Sequence, residues 1–208
     1  MNVTIHTFAT GLLPTNTYVL RCEDACAVVD PAQHPAAVID HCREHGAPRL
    51  ILLTHGHGDH IGGVAAIQAA FPGAELLCPA ADADMLTDAM ANLSQPFGMT
   101  ITAPPADRLI SPGETVEIGP SRWQVLDTSG HTPGGVTYYC AEAAAAVVGD
   151  ALFAGSVGRT DIPRADERRL LTNLRERLLT LPDNTRILPG HGPETTIARE
   201  RRSNPFLQ

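Results

Sequence analysis

The chain has 208 residues, enough for one large domain with a real core and too few for two comfortable ones. Hydrophobic residues make up 43% and charged residues 18%, the balance of a soluble globular protein. A formal charge of -8 argues against the basic face that a nucleic-acid binder needs, and no apolar run reaches the roughly 18 residues of a membrane span.

Strands are predicted over Val3–Phe8, Thr17–Arg21 and Ala25–Asp30, the last stopped by Pro31. Pro35–His45 reads as a helix closed by Gly46 and Pro48, and Arg49–Leu53 as an apolar strand buried on both faces. A helix over Ile61–Ala70, a strand over Glu75–Cys78 and a helix over Ala81–Met90 follow. Residues 91–106, with Pro96, Gly98, Pro104 and Pro105, lack periodicity and read as a long loop of the lid or binding kind. Strands resume at Glu114–Ile118, Arg122–Asp127, Val136–Cys140 and Ala145–Gly149. Asp166–Leu181 is an amphipathic helix, Arg186–Leu188 a short strand and Thr195–Arg202 a last helix. No break in composition marks a linker, so residues 1–208 read as a single α/β (α+β) domain in which two stacked mixed sheets carry helices outside.

Between the strand Arg49–Leu53 and the next helix lies Thr54-His55-Gly56-His57-Gly58-Asp59-His60. Side chains alternate along an extended backbone, so His55, His57 and Asp59 can face one side, as ligands of a zinc-type cation. Gly56 and Gly58 let the chain take a tight path. Three further strand ends carry His or Asp in Gly-rich loops: His131 after Asp127-Thr128-Ser129-Gly130, Asp150 after Val147-Val148-Gly149, and His191 after Leu188-Pro189-Gly190. Singly each is a satisfied His or a capping Asp; together they predict ligands gathered along one edge of the sandwich.

This ordered set resembles the metallo-β-lactamase-fold hydrolases, whose pattern is H-x-H-x-D-H followed by a distant His, an Asp and a final His. The resemblance covers nearly the whole chain and implies a four-layer αββα sandwich. By position it implies His55, His57 and His131 as ligands of a first metal, Asp59, His60 and His191 of a second, and Asp150 as a carboxylate between them. Two divalent metals are implied, zinc first, with iron or manganese as alternatives. Metal lowers the pKa of bound water from about 15.7 towards about 7, and a pair about 3.5–4 Å apart can hold the resulting hydroxide between them. Asp59 and Asp150 are the catalytic residues this implies, orienting that nucleophile. No G-x-S-x-G nucleophile elbow is present.

Within that fold, Phe153-Ala154-Gly155-Ser156-Val157-Gly158-Arg159-Thr160-Asp161, His191-Gly192-Pro193-Glu194-Thr195-Thr196 and the tail Arg199–Leu207 resemble the glyoxalase II-like branch. The resemblance implies a hydroxyacyl-thioester hydrolase, acting on a small-molecule substrate such as S-lactoylglutathione, in a short form without the branch's C-terminal helical region. Where that branch has a Lys and a nearby Tyr touching glutathione, this chain has Arg159 and Asp161. Arg159 is a candidate grip on a substrate carboxylate, and a structural Arg159–Asp161 pair is the other interpretation. The rival within the fold is a mononuclear-iron persulfide dioxygenase, which would use His55, His131 and Asp150; the Pro193-Glu194-Thr195-Thr196 continuation favours the hydrolase. The Gly158-Arg159-Thr160-Asp161 loop argues against a β-lactamase proper. His41 and His45, four apart on a helix, read as a solvated face. The five cysteines, with no C-x-x-C pair, read as buried thiols, and the N-terminal Met-Asn-Val-Thr-Ile-His lacks the pattern of a signal peptide; both predict a cytoplasmic protein.

Overall fold

The computed structural model describes residues 2–208. β1 (Val3–Thr10), β2 (Thr15–Cys22) and β3 (Ala25–Val29) form an antiparallel meander. Helix α1 (Ala36–His45) then crosses to β4 (Leu50–Leu52), which lies parallel to β3. The short helices α2 (Gly58–Ile61) and α3 (Val64–Ala70) lead to β5 (Glu75–Pro79), and a long connection leads to β6 (Arg108–Ile110), completing a six-stranded sheet in the order β1 to β6. In the second half β7 (Thr115–Ile118), β8 (Ser121–Asp127), β9 (Val136–Cys140) and β10 (Ala145–Gly149) run antiparallel. The hairpin β11 (Leu152–Phe153) and β12 (Ser156–Val157) and helix α4 (Glu167–Asn173) follow, then β13 (Arg186–Pro189) parallel to β10, β14 (Thr195–Thr196) and α5 (Ile197–Ser203). The second sheet has the order β14-β13-β10-β9-β8-β7.

Three apolar clusters define four layers. Tyr18, Leu20, Val29 and Leu52 of the first sheet meet Trp123, Val125, Tyr138 and Val147 of the second, which fills the space between the sheets. On the outer face of the first sheet, Val28, Ile51 and Leu76 pack against Val38, Ile61, Val64 and Ile67 of the helices. On the outer face of the second, Ala146, Val148 and Ile187 pack against Leu170, Leu174, Leu178 and Ile197. Consecutive residues such as Ala146, Val147 and Val148 serve opposite clusters, because strand side chains alternate and both faces of each sheet are covered. The result is the αββα sandwich expected from sequence.

Four elements differ from expectation. Ala81–Met90 is not an α-helix: a 3-10 turn spans Ala80–Leu86, because the Asp82 carboxylate is drawn off to bond backbone of two distant loops and Asp88 restarts the chain by accepting from Met90 and Ala91 N–H. The helix expected from Ile61 breaks at Gly62-Gly63, where Gly63 N–H donates to Pro31 O at 2.7 Å, and resumes at Val64. Helix α4 widens into a π turn over Leu174–Leu178, where Leu179 N–H reaches Leu174 O. Thr195 and Thr196 pair with β13 rather than opening the last helix. The loop 91–106 is pinned internally: Asn92 Nδ2 donates to Met85 O and Ile101 O, both at 2.9 Å. All five cysteines are buried free thiols, and no described helix is long and apolar enough to cross a membrane.

Candidate metal centre

β3, β4, β8, β10 and β13 all end at one edge of the sandwich, and the residue or loop after each brings a polar group to it. The β4 loop is extended only as far as His57; α2 then begins at Gly58. That turn separates Asp59 from the side shared by His55 and His57, so the single three-ligand row suggested by strand alternation does not form. Three overlapping groups form instead, one of them Asp30 with His55 and His60, and the other two divide the sequence-predicted ligands. Ligand atoms of His55, His57 and His131 lie within 4.8 Å of one another, and so do those of Asp59, His60 and His191. His131 Nε2 is 3.0 Å from His57 Nδ1, and His191 Nε2 is 3.1 Å from Asp59 Oδ2. Asp150 stands between them: Oδ2 is 3.6 Å from both His131 Nε2 and His191 Nε2, and Oδ1 is 3.3 Å from His60 Nε2. All seven sequence-predicted ligands therefore share one place.

The outer nitrogens are held by partners, which aims the inner ones. His60 Nδ1 is 2.9 Å from Asp30 Oδ2, and His131 Nδ1 is 2.8 Å from the Arg159 carbonyl oxygen. Each acceptor fixes a proton on Nδ1 and turns Nε2 inward, where a cation can take the place of a second proton. His55 Nε2, His60 Nε2 and Asp150 Oδ1 are buried with no hydrogen-bond partner. Buried polar atoms are rarely left unpaired, at a cost of about 1–3 kcal/mol each, and three converging on one space fit a cation. Imidazole nitrogens with carboxylate oxygens are the donor set of zinc, iron and manganese.

The charges agree. Burial, with His60 and His57 beside it, pushes His55 well below the usual imidazole range; burial and His131 push His57 down to about 3. Both rings stay neutral, the form that binds metal. Burial alone would lower His60, but Asp59, Asp150 and Asp30 outweigh it and hold the ring well above its ordinary value. Burial likewise opposes ionisation of Asp59 and Asp150, yet the neighbouring imidazoles hold both carboxyls below the usual range. So many carboxylates around one cavity call for positive charge, which a proton on His60 or a cation can provide.

The two sheets are tied at this edge. Asn16 N–H donates to Gly190 O at 2.7 Å, its Nδ2 to Pro189 O and Gly192 O at 2.9 Å, and Tyr138 Oη to Leu53 O at 2.7 Å. Gly190 is required by contact: a Cβ there would lie 2.1 Å from Asp150 Oδ1 and 2.6 Å from His60 Cε1. Gly190→Ala is expected to displace both side chains and cut catalytic turnover by about 100-fold while leaving far-ultraviolet dichroism unchanged; full activity would mean that the approach is slack.

Three supporting residues escape the sequence pattern. Asp30 accepts from Thr54 N–H, Thr54 Oγ1 and His60 at once. Its signal was available, since Val28-Val29-Asp30 ends a buried strand as Val147-Val148-Gly149-Asp150 does, but Pro31 gave it the local meaning of a stop. Asp82, fully buried, accepts from Gly56 N–H, Thr132 Oγ1 and Gly134 N–H and so joins the loops of His55/His57 and His131. Thr15 reaches Asp59 Oδ2 at 3.2 Å. Arg159 lies in the cavity wall, but its guanidinium forks onto Asp161 at 2.8 and 3.0 Å; His131 meets its backbone.

Comparison with known proteins agrees with this geometry. The metallo-beta-lactamase superfamily profile matches residues 10–191. The chain is 39% identical to the probable metallo-hydrolase YqgX of Bacillus subtilis, covering 95% of this chain and 94% of that one. It is 34% identical to the hydroxyacylglutathione hydrolase GloC of Haemophilus influenzae, over 94% and 96% of the two. Among solved structures, the B3 metallo-beta-lactamase BLEG-1 superposes with a TM-score of 0.94 at 36% identity, over 99% and 100% of the chains. TTHA1623 in a di-iron-bound form gives 0.87 at 37% identity, over 97% and 100%.

Proposed function

The chain belongs to the metallo-beta-lactamase superfamily, and on that premise we propose that it is a dinuclear-metal hydrolase of thioesters, cleaving hydroxyacyl-thioesters of the S-lactoylglutathione type. The observation that carries this is the pair of ligand groups with Asp150 facing both. His55, His57 and His131 would hold one ion, Asp59, His60 and His191 the other, and Asp150 would touch both. Bound there, such ions supply an acidified water and polarise a carbonyl oxygen. The identity to GloC supports a thioester as the bond attacked, and the di-iron neighbour supports a pair of ions; zinc, iron and manganese all suit these donors.

The chain's own groups divide the rest of the work. The cavity beside the centre, 480 Å³ in volume, seats the substrate with its thioester against His57, Asp59, His131, Asp150 and His191. Asp59 and Asp150, kept ionised by the imidazoles around them, accept hydrogen bonds from the attacking water and fix its direction. Addition of water to the carbonyl and loss of the thiolate yield acid and thiol, the water's proton passing through a carboxylate oxygen to the departing sulfur. Asp30 and the Arg159 carbonyl keep His60 and His131 from turning.

The test combines metal analysis of protein purified without added metal with turnover assays. Two equivalents of metal and thiol release from S-lactoylglutathione are expected. One iron with oxygen uptake on glutathione persulfide would replace the hydrolase with a dioxygenase, and turnover confined to a β-lactam would replace it with a β-lactamase. Asp59→Ala is expected to lower kcat/KM by more than about 100-fold and leave fewer than two metals bound; unchanged turnover would sink the two-metal mechanism.

A further inference from the structure

Apart from the metal-centre side chains, the lining of the cavity is mainly apolar. One wall comes from the loop 91–106, with Phe97, Met99 and Ile101; the other comes from Leu13 of the β1–β2 turn and from Phe153 and Val157 of the small hairpin. Leu13 is 50% exposed and Phe97 66%, so the rim offers large carbon surfaces to water. Monomeric proteins seldom leave such side chains clustered around a cleft unless a ligand covers them. The loop is not loose: besides the Asn92 bonds, Ile101 N–H donates to Ser94 Oγ at 3.1 Å, so the apolar wall stands preformed.

Charge points the same way. Arg159 is the one Arg or Lys side chain in the lining, and its Nε and Nη2 are forked onto Asp161, a pair that an incoming carboxylate would have to displace. The remaining ionisable groups of the lining are the His and Asp of the metal centre. A thiol such as glutathione carries two carboxylates, and the wall offers no cation for them besides this paired Arg159. An aliphatic or aryl chain, by contrast, would replace water along Phe97, Met99, Ile101 and Phe153 and gain with each methylene buried.

We propose that this cavity binds the acyl arm of its substrate as an apolar chain of several carbons, making the enzyme selective for longer acyl-thioesters over those of small polar acids on an anionic thiol. This rests on the thioester-hydrolase reading above and goes beyond it in the acyl group: S-lactoylglutathione stays a substrate, at a lower kcat/KM than the longer acyl-thioesters.

The experiment uses the metal-loaded full chain and acyl-thioesters of uncharged N-acetylcysteamine, from acetyl to octanoyl, beside S-lactoylglutathione. kcat/KM is expected to rise about two- to fourfold per methylene through this series and to exceed that for S-lactoylglutathione. Phe97→Ser and Leu13→Ser, at exposed positions where folding is unaffected, are expected to lower the octanoyl-to-acetyl ratio by about tenfold or more. A flat or falling series, or a preference for S-lactoylglutathione, would overturn the proposal. In parallel, calorimetry follows binding of the matching ketones, in which CH2 replaces the thioester sulfur and hydrolysis cannot occur. Ketone affinity rising with chain length while no thioester is hydrolysed would uphold the apolar acyl site and refute the thioesterase. Ketone affinity independent of length would refute the acyl site whatever the turnover.

Discussion

Replacing Asp30 with alanine is expected to lower the melting temperature by on the order of 10 °C and to weaken metal binding by about 10- to 100-fold. Asp30 is 1% exposed and pairs with three donors: Thr54 N–H at 2.8 Å, Thr54 Oγ1 at 2.6 Å and His60 Nδ1 at 2.9 Å. The Thr54 hydroxyl can turn to His55 Nδ1, 3.0 Å away, but the other two donors would be stranded at about 1–3 kcal/mol each. Each kcal/mol shifts the melting temperature of a domain this size by about 2–4 °C. Asp30 also sits at φ 48°, a backbone that alanine adopts poorly and asparagine well. Asp30→Asn is therefore the sharper variant. It keeps shape and backbone, yet turns one acceptor oxygen into a donor facing a donor. Melting in excess chelator reads the lost hydrogen bonds, and metal titration reads the aim of His60. Wild-type metal affinity in Asp30→Asn would reduce Asp30 to a structural residue.

Asp30 also shows where sequence legibility stops. The proposed ligand set could be read because each member follows an apolar strand and sits in a Gly-rich loop; β9 and β10 fall on the residues expected from the sequence. Those signals are local. The work of Asp30 depends on β4 lying beside β3, which brings Thr54 within reach, and nothing near position 30 in the chain announces that neighbour. Asp82 is harder still, since its carboxylate spends its bonds on Gly56, Thr132 and Gly134 and in doing so unmakes the helix that local propensity favours. The grouping of the seven candidate ligands differs from strand periodicity for the same reason: α2 starts one residue before Asp59 and turns it towards His191. Which atoms aim inward was legible; which hold them still was not.

Stripping the metal with a chelator is expected to lower the melting temperature by about 15–30 °C and to change its dependence on pH. Two ligands present at about 1,000 times their dissociation constants stabilise the fold by about 4 kcal/mol each, and each kcal/mol is about 2–4 °C. Without them His55 Nε2 stays buried and unpartnered, and His60 Nε2 is left facing Asp150 Oδ1 at 3.3 Å. The protons then decide the curve. His57, driven down to about 3 by burial and by His131, stays neutral in the fold while the unfolded chain takes its proton near 6.5, so stability falls as pH drops from 6.5 towards 3. For His60, burial is outweighed by Asp59, Asp150 and Asp30; its folded value lies well above 6.5, so its contribution is complete below 6.5 and is lost as pH rises through the folded value. The metal-free protein is thus most stable near pH 6.5 and weakens on both sides. Metal needs the same nitrogens unprotonated, so the loaded protein holds its stability into alkaline pH and loses it in acid as protons displace the ions. Thermal melts of both forms from about pH 5 to 9 check this: parallel curves, or a metal-free form with no maximum, would mean that the imidazoles and carboxylates of this edge do not share one centre.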